Sequence, residues 1–278
     1  MGLFTPAWKS KNMEKAIKAV KKMTDEAKLK KIAITATDWY VRKLAVEKLT
    51  DQSALAEVAK KDDSCDVRGA AVERLTDQNV LAEIAKKDNS NYVRKTLVKR
   101  LTDQNVLADI AKNEKECIEE LMAGINAVEK ITDQNLLADI AINSQCPGVR
   151  EVAVKKLFVP KALANVAKND KCFFLREAAV CKLNDQNVLA DIAKNDKNFD
   201  VRFAAAIRLT NHTIAQEVFA IIAKNNCGSD LREKAAKRLT DKDLASEIFS
   251  EIYWKHREWQ ENYENDPHYD ISRWDARR

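Results

Sequence analysis

The sequence contains few of the residues that interrupt helices, since its 278 residues include only 5 Gly and 4 Pro. Hydrophobic residues make up 45% of the chain and charged residues 33%. This balance excludes a disordered chain, and together with the scarcity of helix breakers it favours a helix-rich protein with a substantial core.

Metal-type or disulfide-type cysteine patterns are also missing, because the six Cys form no Cys-x-x-Cys pair. A core of this size needs no disulfide bonds, so reduced thiols are expected. No stretch approaches the roughly 20 apolar residues of a membrane span, and residues 1–11 do not resemble a signal peptide. We therefore expect a cytoplasmic protein without membrane association.

Features of a catalytic or strongly charged protein are absent as well. The 48 basic and 43 acidic residues give a net charge of +5, which is too balanced to predict a nucleic-acid or membrane partner. The three His do not form a metal-binding pattern, and no Ser or Cys nucleophile lies at a recognisable spacing from a base. We expect no enzymatic activity, no metal and no cofactor.

A short phrase, Leu-Thr-Asp-Gln, recurs through the chain at intervals of about 26 residues. A period of this length is too short for a domain and matches one helical hairpin. The phrase therefore predicts an array of hairpins. Its copies begin at Leu49, Leu75, Leu101 and Ile131, with a looser copy at Leu183.

A second phrase, Val-Arg or Leu-Arg, runs eight residues ahead of the first. From Val67, apolar residues return at Ala70, Ala71, Val72 and Leu75, which is the spacing of one helix face. We name this segment helix B. The segment that follows Thr-Asp-Gln is again apolar at helical spacing and is named helix A. Neither short helix can bury its apolar face unless neighbouring hairpins stack on it.

The register predicts an all-α protein, an α-α superhelix or solenoid of about nine helical-hairpin repeats over residues 1–252. Residues 1–23 are predicted to cap the N-terminal end with Phe4 and Trp8, and residues 253–278 form an aromatic, charged cap or docking tail. Insertions of four residues, about one helical turn, fall near 113–122 and 212–219. Helix B begins near Lys15, Val41, Val67, Val93, Ala123, Val149, Leu175, Val201 and Leu231.

These features resemble the HEAT-like repeat family, whose hairpins carry a Leu-Ala-x-Ile-Ala stripe on the first helix, an Asp in the turn and Val-Arg at the start of the second. The resemblance covers about residues 15–252. The chain is also similar to leucine-rich repeat variant proteins, although their Asn-Pro turn is absent. The resemblance implies a curved α-superhelix that binds partners on one surface.

The Arg of the Val-Arg phrase is predicted to point inward, since Arg68 falls between Val72 and Leu75 on a helical wheel. An inward Arg needs a nearby acid, and the Asp in the preceding turn is the candidate, as Asp62 is for Arg68. We expect a structural ladder, with a partner site as the alternative, and an interruption where Gly124 replaces the Arg. Its members are Arg42, Arg68, Arg94, Arg150, Arg176, Arg202, Arg232, Asp62, Asp88, Asp170 and Asp196.

A second basic series lies seven residues after the start of the register in every repeat and includes Arg74, Arg100 and Arg208. Because a cation is favoured at a helix C-terminus, local capping is the first interpretation. A basic stripe that binds phosphates or an acidic protein is the alternative.

Aromatic residues precede several B helices and would line one edge of the stack. Packing over the next turn is their first interpretation, and anchoring of a partner is the alternative. The cysteines near this edge are expected to be inert, because stacked helices are too far apart for a disulfide bond. The aromatic residues are Trp39, Tyr40, Tyr92, Phe173, Phe174 and Phe199.

The expected function is that of a non-enzymatic scaffold whose partner is an unidentified protein or peptide. Specificity is expected at the irregular segments 113–124 and 158–161 and in the tail, because departures from a repeat need a reason other than stacking. The alternative is a nucleic-acid binding protein related to HEAT-like DNA alkylation repair glycosylases. The middle of the array, however, lacks the Trp platform of such an enzyme, since no Trp lies between Trp39 and Trp254.

Overall fold

The computed structural model describes residues 6–10, 12–114, 123–225 and 228–264, with side chains up to residue 258. Throughout these residues the regular secondary structure is helical, which confirms the predicted all-α class. A 3-10 turn, Ala7–Lys9, precedes the α-helices. In chain order these are α1 (Met13–Lys21), α2 (Glu26–Thr35), α3 (Trp39–Val46), α4 (Gln52–Lys61), α5 (Cys65–Arg74), α6 (Gln78–Lys87), α7 (Asn91–Arg100), α8 (Gln104–Lys112), α9 (Ala123–Lys130), α10 (Gln134–Asn143), α11 (Pro147–Lys156), α12 (Pro160–Asn169), α13 (Phe173–Val180), α14 (Gln186–Asn195), α15 (Phe199–Ile207), α16 (His212–Lys224), α17 (Ser229–Ala236) and α18 (Lys242–Glu264).

The odd-numbered helices from α1 to α17 are the nine B helices, and the even-numbered helices are the A helices. Each predicted B start falls within its helix, so the register is confirmed across the described residues. The Asp of the recurring phrase explains where the A helices begin. The side chain of Asp51 accepts hydrogen bonds from the main-chain N–H groups of Ser53 and Ala54, which caps α4. The same cap is formed by Asp77, Asp103, Asp133, Asp185 and Asp241.

Stacking of consecutive hairpins supplies the core in two compact units, an N-terminal unit of residues 1–162 and a C-terminal unit of residues 163–278. In the N-terminal unit, α5 packs against α4 of its own hairpin and against α3 and α7 of the neighbouring ones. In the C-terminal unit, α15 packs against α13, α14 and α16. This neighbour-to-neighbour packing is that of an α-α solenoid. The buried side chains are mainly Leu, Val, Ile and Ala, each larger one contributing about 1.5–3 kcal/mol.

The start of the described chain covers the first hairpin. The 3-10 turn packs on α1 and buries Trp8, as expected for a cap. Phe4, the other residue of the predicted cap, lies outside the described residues.

The second predicted insertion lengthens an A helix. It gives α16 a length of 13 residues, against 10 for α14, so the added residues extend the helix as predicted. The other insertion, near 113–122, lies largely outside the described residues.

The last A helix, α18, is 23 residues long and continues without a break across residue 253, where the tail was predicted to begin. Residues 265–278 lie beyond the described part. No helix within the described ranges combines the length and apolar character needed to cross a bilayer.

Candidate partner-binding surface

The arginines of the first series lie in the first turn of the B helices, next to the chain that joins each A helix to its B helix. Arg68 Nη1 donates to the main-chain oxygens of Asp62 (2.9 Å) and Asp63 (3.2 Å), the carbonyls that follow α4. Its Nε and Nη2 donate to the two carboxylate oxygens of Asp88, at 2.6 and 3.1 Å. One guanidinium therefore joins the end of one A helix to the end of the next. The same two-pronged arrangement links Arg42 with Asp62 and Arg176 with Asp196.

The pairing differs from the one expected from the sequence. We expected the carboxylate of Asp62 to bind Arg68, but it binds Arg42, twenty residues earlier. The reason is that the carboxylate also closes its own turn, with Asp62 Oδ1 accepting from the N–H of Ser64 at 2.9 Å, which leaves only the main-chain oxygen for Arg68. Asp170 closes its turn in the same way, at 2.8 Å from the N of Cys172.

The paired arginine explains why an Asp is tolerated directly after an A helix. Asp196 follows the last residue of α14, where the helix dipole disfavours a carboxylate. Burial also raises its pKa, but hydrogen bonds from the Arg176 guanidinium and the Asn198 N–H outweigh burial, and the net pKa is lowered. The hydrogen bond to the paired Asp raises the pKa of the Arg42, Arg68 and Arg176 guanidinium groups.

Glu114 replaces the Asp where the repeat is irregular. Its buried carboxylate lies 3.4 Å from Arg94 Nη2, and its Oε2 accepts from the Gly124 N–H at 3.0 Å. A Cβ on Gly124 would lie 2.8 Å from the Cβ of Glu114. Gly is therefore required here because the Glu side chain occupies the space beside the backbone, and the helix carries no guanidinium of its own at this point.

The remaining arginines of the series keep the bond to a carbonyl at the end of the preceding A helix. Arg232 adds an ion pair of 2.7 Å with Glu251, and Arg202 places its guanidinium 5.3 Å from the ring centroid of Phe199. The carbonyl bonds are Arg150 Nη1 to Ser144 O (3.0 Å), Arg202 Nε to Ala193 O (2.9 Å) and Arg232 Nε to Ala223 O (2.8 Å).

The second basic series also binds main-chain carbonyls. We expected these cations to cap their own B helices, but six of them bond to the chain just after the preceding B helix or to its last residues. Such carbonyls have no partner within the helix and carry the negative end of its dipole. The bonds are Arg74 Nε to Leu49 O (2.9 Å), Arg100 Nη2 to Leu75 O (2.8 Å), Arg208 Nε to Leu183 O (3.0 Å), Lys48 Nζ to Lys21 O (2.6 Å), Lys130 Nζ to Leu101 O (2.7 Å) and Lys156 Nζ to Val128 O (3.0 Å).

A glutamine ladder at the opposite turns was missed by the sequence reasoning. Gln78 Nε2 donates to Arg100 O at 3.1 Å, and Gln78 Oε1 accepts from the N–H and hydroxyl of Thr102 at 3.0 and 3.2 Å. The constant Thr-Asp-Gln spacing was its signal, because a Gln that recurs with each Thr suggests a bond between repeats. The other glutamines of the ladder are Gln52, Gln104, Gln134, Gln186 and Gln216.

Four aromatic residues at the N-termini of B helices form two exposed pairs. Trp39 (44% exposed) and Tyr40 form an edge-to-face pair with centroids 5.7 Å apart in the N-terminal unit. Phe173 and Phe174 (47% exposed) form a similar pair, 5.6 Å apart, in the C-terminal unit. We name these four residues the edge aromatics. Because exposed rings are unfavourable in water, their recurrence at the N-termini of B helices in both units is compatible with a binding role.

The other two predicted aromatics differ from the edge pairs. Tyr92 is exposed, but its ring lies against the backbone of Gly69 on the preceding B helix. Phe199 is half-buried beneath Arg202. In the irregular segment 158–161, Phe158 stands where other repeats have Thr and is 73% exposed.

Neither the cysteines and potential metal ligands nor the comparisons with known proteins assign a function to this surface. Cys65, Cys146, Cys172 and Cys181 are free thiols. In the described ranges no group of three His, Cys, Asp or Glu side chains could hold a metal ion. Comparison with protein families gives no match, and no curated protein matches the chain.

Proposed function

We propose that this protein is a non-enzymatic, HEAT-like scaffold that binds other proteins or peptides through exposed groups at the ends of its B helices. The observation that carries the proposal is that the basic and the aromatic residues of the repeats have different surroundings. Most arginines and lysines of the two basic series bond to the chain itself, whereas the edge aromatics are exposed. The predicted location is the cytoplasm, since the sequence contains no signal-peptide-like segment or membrane span.

The edge aromatics have the chemistry of anchor residues. Trp, Tyr and Phe bring large apolar area with few rotatable bonds, and such residues dominate the binding energy of many interfaces. Trp39 and Tyr40 are solvated on the same turn, so a partner that covers both buries a contiguous apolar surface. Phe173 and Phe174 offer a second anchor of the same kind.

The nucleic-acid alternative is less well supported. Binding to phosphates requires cations that are free to exchange their counterions for the backbone of a duplex. Arg74, Arg100 and Arg208 each donate to a main-chain carbonyl, so phosphate binding would compete with bonds that join repeats.

The test compares capture of host proteins by the immobilised full-length chain and by a variant carrying Trp39→Ser, Tyr40→Ser, Phe173→Ser and Phe174→Ser. A matched control carries Ile34→Ser and Ile142→Ser, which remove apolar residues of similar exposure (41% and 40%) from the A helices. We expect the aromatic variant to lose specific partners and the control to retain them, as identified by mass spectrometry.

Equal partner lists for the wild type and the aromatic variant would refute the role of the edge aromatics. A gel-shift assay with duplex DNA at low salt tests the alternative. A shift that weakens steeply with salt and with charge reversal at Arg74, Arg100 and Arg208 would favour the nucleic-acid function instead.

A further inference from the structure

Two B helices of the C-terminal unit lack an exposed charged residue that the other repeats have at the same register position. The position six residues after the start of the register carries an exposed charged side chain at the end of most B helices. In two repeats it is occupied instead by Cys181, directly after α13, and by Ile207, the last residue of α15, both exposed. Nothing in the stacking of the repeats requires this change. The charged residues at this position are Lys21, Glu47, Glu73, Lys99, Glu129, Lys155 and Lys237.

The neighbouring positions make the apolar area larger. On α13, Phe174 lies seven residues before Cys181 and so occupies the same helix face, one turn on either side of Glu177. On α15, Phe203 lies four residues before Ile207, is half-buried and has its ring 5.6 Å from that of Phe219. Because α13 packs against α15, Phe174, Phe203 and Ile207 belong to one surface.

Carboxylates occupy matching positions on the same helix face. Asp200 on α15 and Asp230 on α17 correspond in the register to Phe174, and Glu177 on α13 corresponds to Phe203. Helix α16 packs against both α15 and α17. The Asp230 side chain is largely exposed and forms an ion pair of 2.7 Å with Lys234. We name Phe174, Phe203 and Ile207, with Glu177, Asp200 and Asp230, the acid-rimmed patch.

The pKa of Lys234 shows how these carboxylates act on a nearby cation. Its pKa is raised, first by the hydrogen bond to Asp230 and the attraction of the same carboxylate, and also by Asp200 and Glu177. All three carboxylates thus act on one ammonium group that is itself in contact with water. A second cation brought by a ligand would meet the same field, whereas a phosphate would be repelled.

We propose that the acid-rimmed patch binds a cationic segment of a partner protein, with one apolar side chain against Phe174 and Ile207 and Lys or Arg side chains against the carboxylates. This proposal rests on the proposed scaffold function and names the chemistry of one class of its partners. Apolar contact supplies affinity, and charge complementarity selects the partner and its orientation.

The test uses three fluorescently labelled synthetic peptides of about 15 residues that share Leu at helical spacing and carry Lys, Gln or Glu at all other positions. Binding to the full-length chain is measured by anisotropy at physiological ionic strength. We expect the Lys peptide to bind about tenfold more tightly than the Gln peptide, and the Glu peptide not to bind.

Two variants locate the binding. Glu177→Lys, Asp200→Lys and Asp230→Lys together should weaken binding of the Lys peptide about tenfold, and Ile207→Ser alone should weaken it severalfold. The matched control reverses Glu217, Asp243 and Glu247 on A helices of the same unit, with the same change in net charge, and should bind nearly as the wild type does.

Equal weakening by the control and the patch variant would overturn the proposal, because it would show attraction to net charge alone. Equal binding of the Lys and Glu peptides would overturn it too. The scaffold function would stand in either case if the edge aromatics still governed capture of host proteins. It would fail separately if the wild type captured no protein above background.

Discussion

At the residue scale, the buried arginines act through the geometry of their guanidinium groups. Arg176 is 2% exposed and binds both carboxylate oxygens of Asp196 and two main-chain oxygens. A lysine could supply the charge but not this set of directed donors. Removing the group leaves a mostly buried carboxylate without its counterion, which costs far more than the loss of an exposed ion pair.

We therefore expect Arg176→Gln to lower the free energy of unfolding by about 3–5 kcal/mol. The exposed neighbour Lys171→Gln is the control and should change it by no more than about 0.5 kcal/mol. Urea unfolding followed by circular dichroism measures both. If the two variants were equally stable, the ladder would have no energetic importance at this position.

Two glycines of B helices are predicted to respond oppositely to Ala. Gly124→Ala would press a Cβ against the buried Glu114 and within 3.0 Å of Val149, and should cost about 1–3 kcal/mol. A Cβ in Gly69→Ala has the exposed ring of Tyr92 as its nearest neighbour. This ring can move, so a gain in helix propensity of up to about 1 kcal/mol should prevail. Thermal unfolding of both variants measures these effects. A Gly69→Ala variant less stable than the wild type would contradict the prediction.

The pKa of Asp196 implies a pH dependence of known sign. Because its folded pKa is lowered from the ordinary value of 3.8, its stabilising effect is complete above that value and is lost as the pH falls through the folded pKa. The stability difference between wild type and Asp196→Asn should therefore shrink as the pH falls below 3.8. Urea unfolding across this range measures it, and a constant difference would disagree with the assignment.

At the element scale, the helices and their register could be predicted, because the information lies within each repeat. The Asp that caps an A helix and the apolar spacing of a B helix such as α5 act over only a few residues. The partners of Arg68 and Arg74 could not be predicted, because they lie one repeat away. Periodicity gives the phase of each helix, but not which groups of adjacent hairpins face each other.

The glutamine ladder gives a prediction for contacts between hairpins. Gln78→Ala removes three hydrogen bonds at an exposed turn and should cost about 1 kcal/mol. Gln78→Glu should cost less, because Glu26 already accepts bonds from Thr50 in the same way. The exposed Asn79→Ala is the control. Denaturant unfolding should rank the variants in this order, and a Glu variant weaker than the Ala variant would contradict it.

At the scale of the whole molecule, charges are used mainly to join repeats. On the A helices, lysines pair with acids of the next repeat, as Lys60 does with Glu83 and Lys168 with Asp191. Together with the two basic series, these pairs account for much of the positive charge without a ligand. We propose that a partner contacts exposed groups that do not join repeats. Sequence alone could locate such groups but could not distinguish them from core residues.

One measurement separates stacking from binding most directly. Unfolding free energy and duplex-DNA binding are determined for the wild type and for a variant carrying Arg74→Gln, Arg100→Gln and Arg208→Gln. We expect the variant to lose about 1–2 kcal/mol of unfolding free energy in each of the two compact units. We also expect the wild type not to bind DNA at low salt. Undiminished stability combined with the loss of salt-sensitive DNA binding would contradict the conclusion that these cations serve the stack.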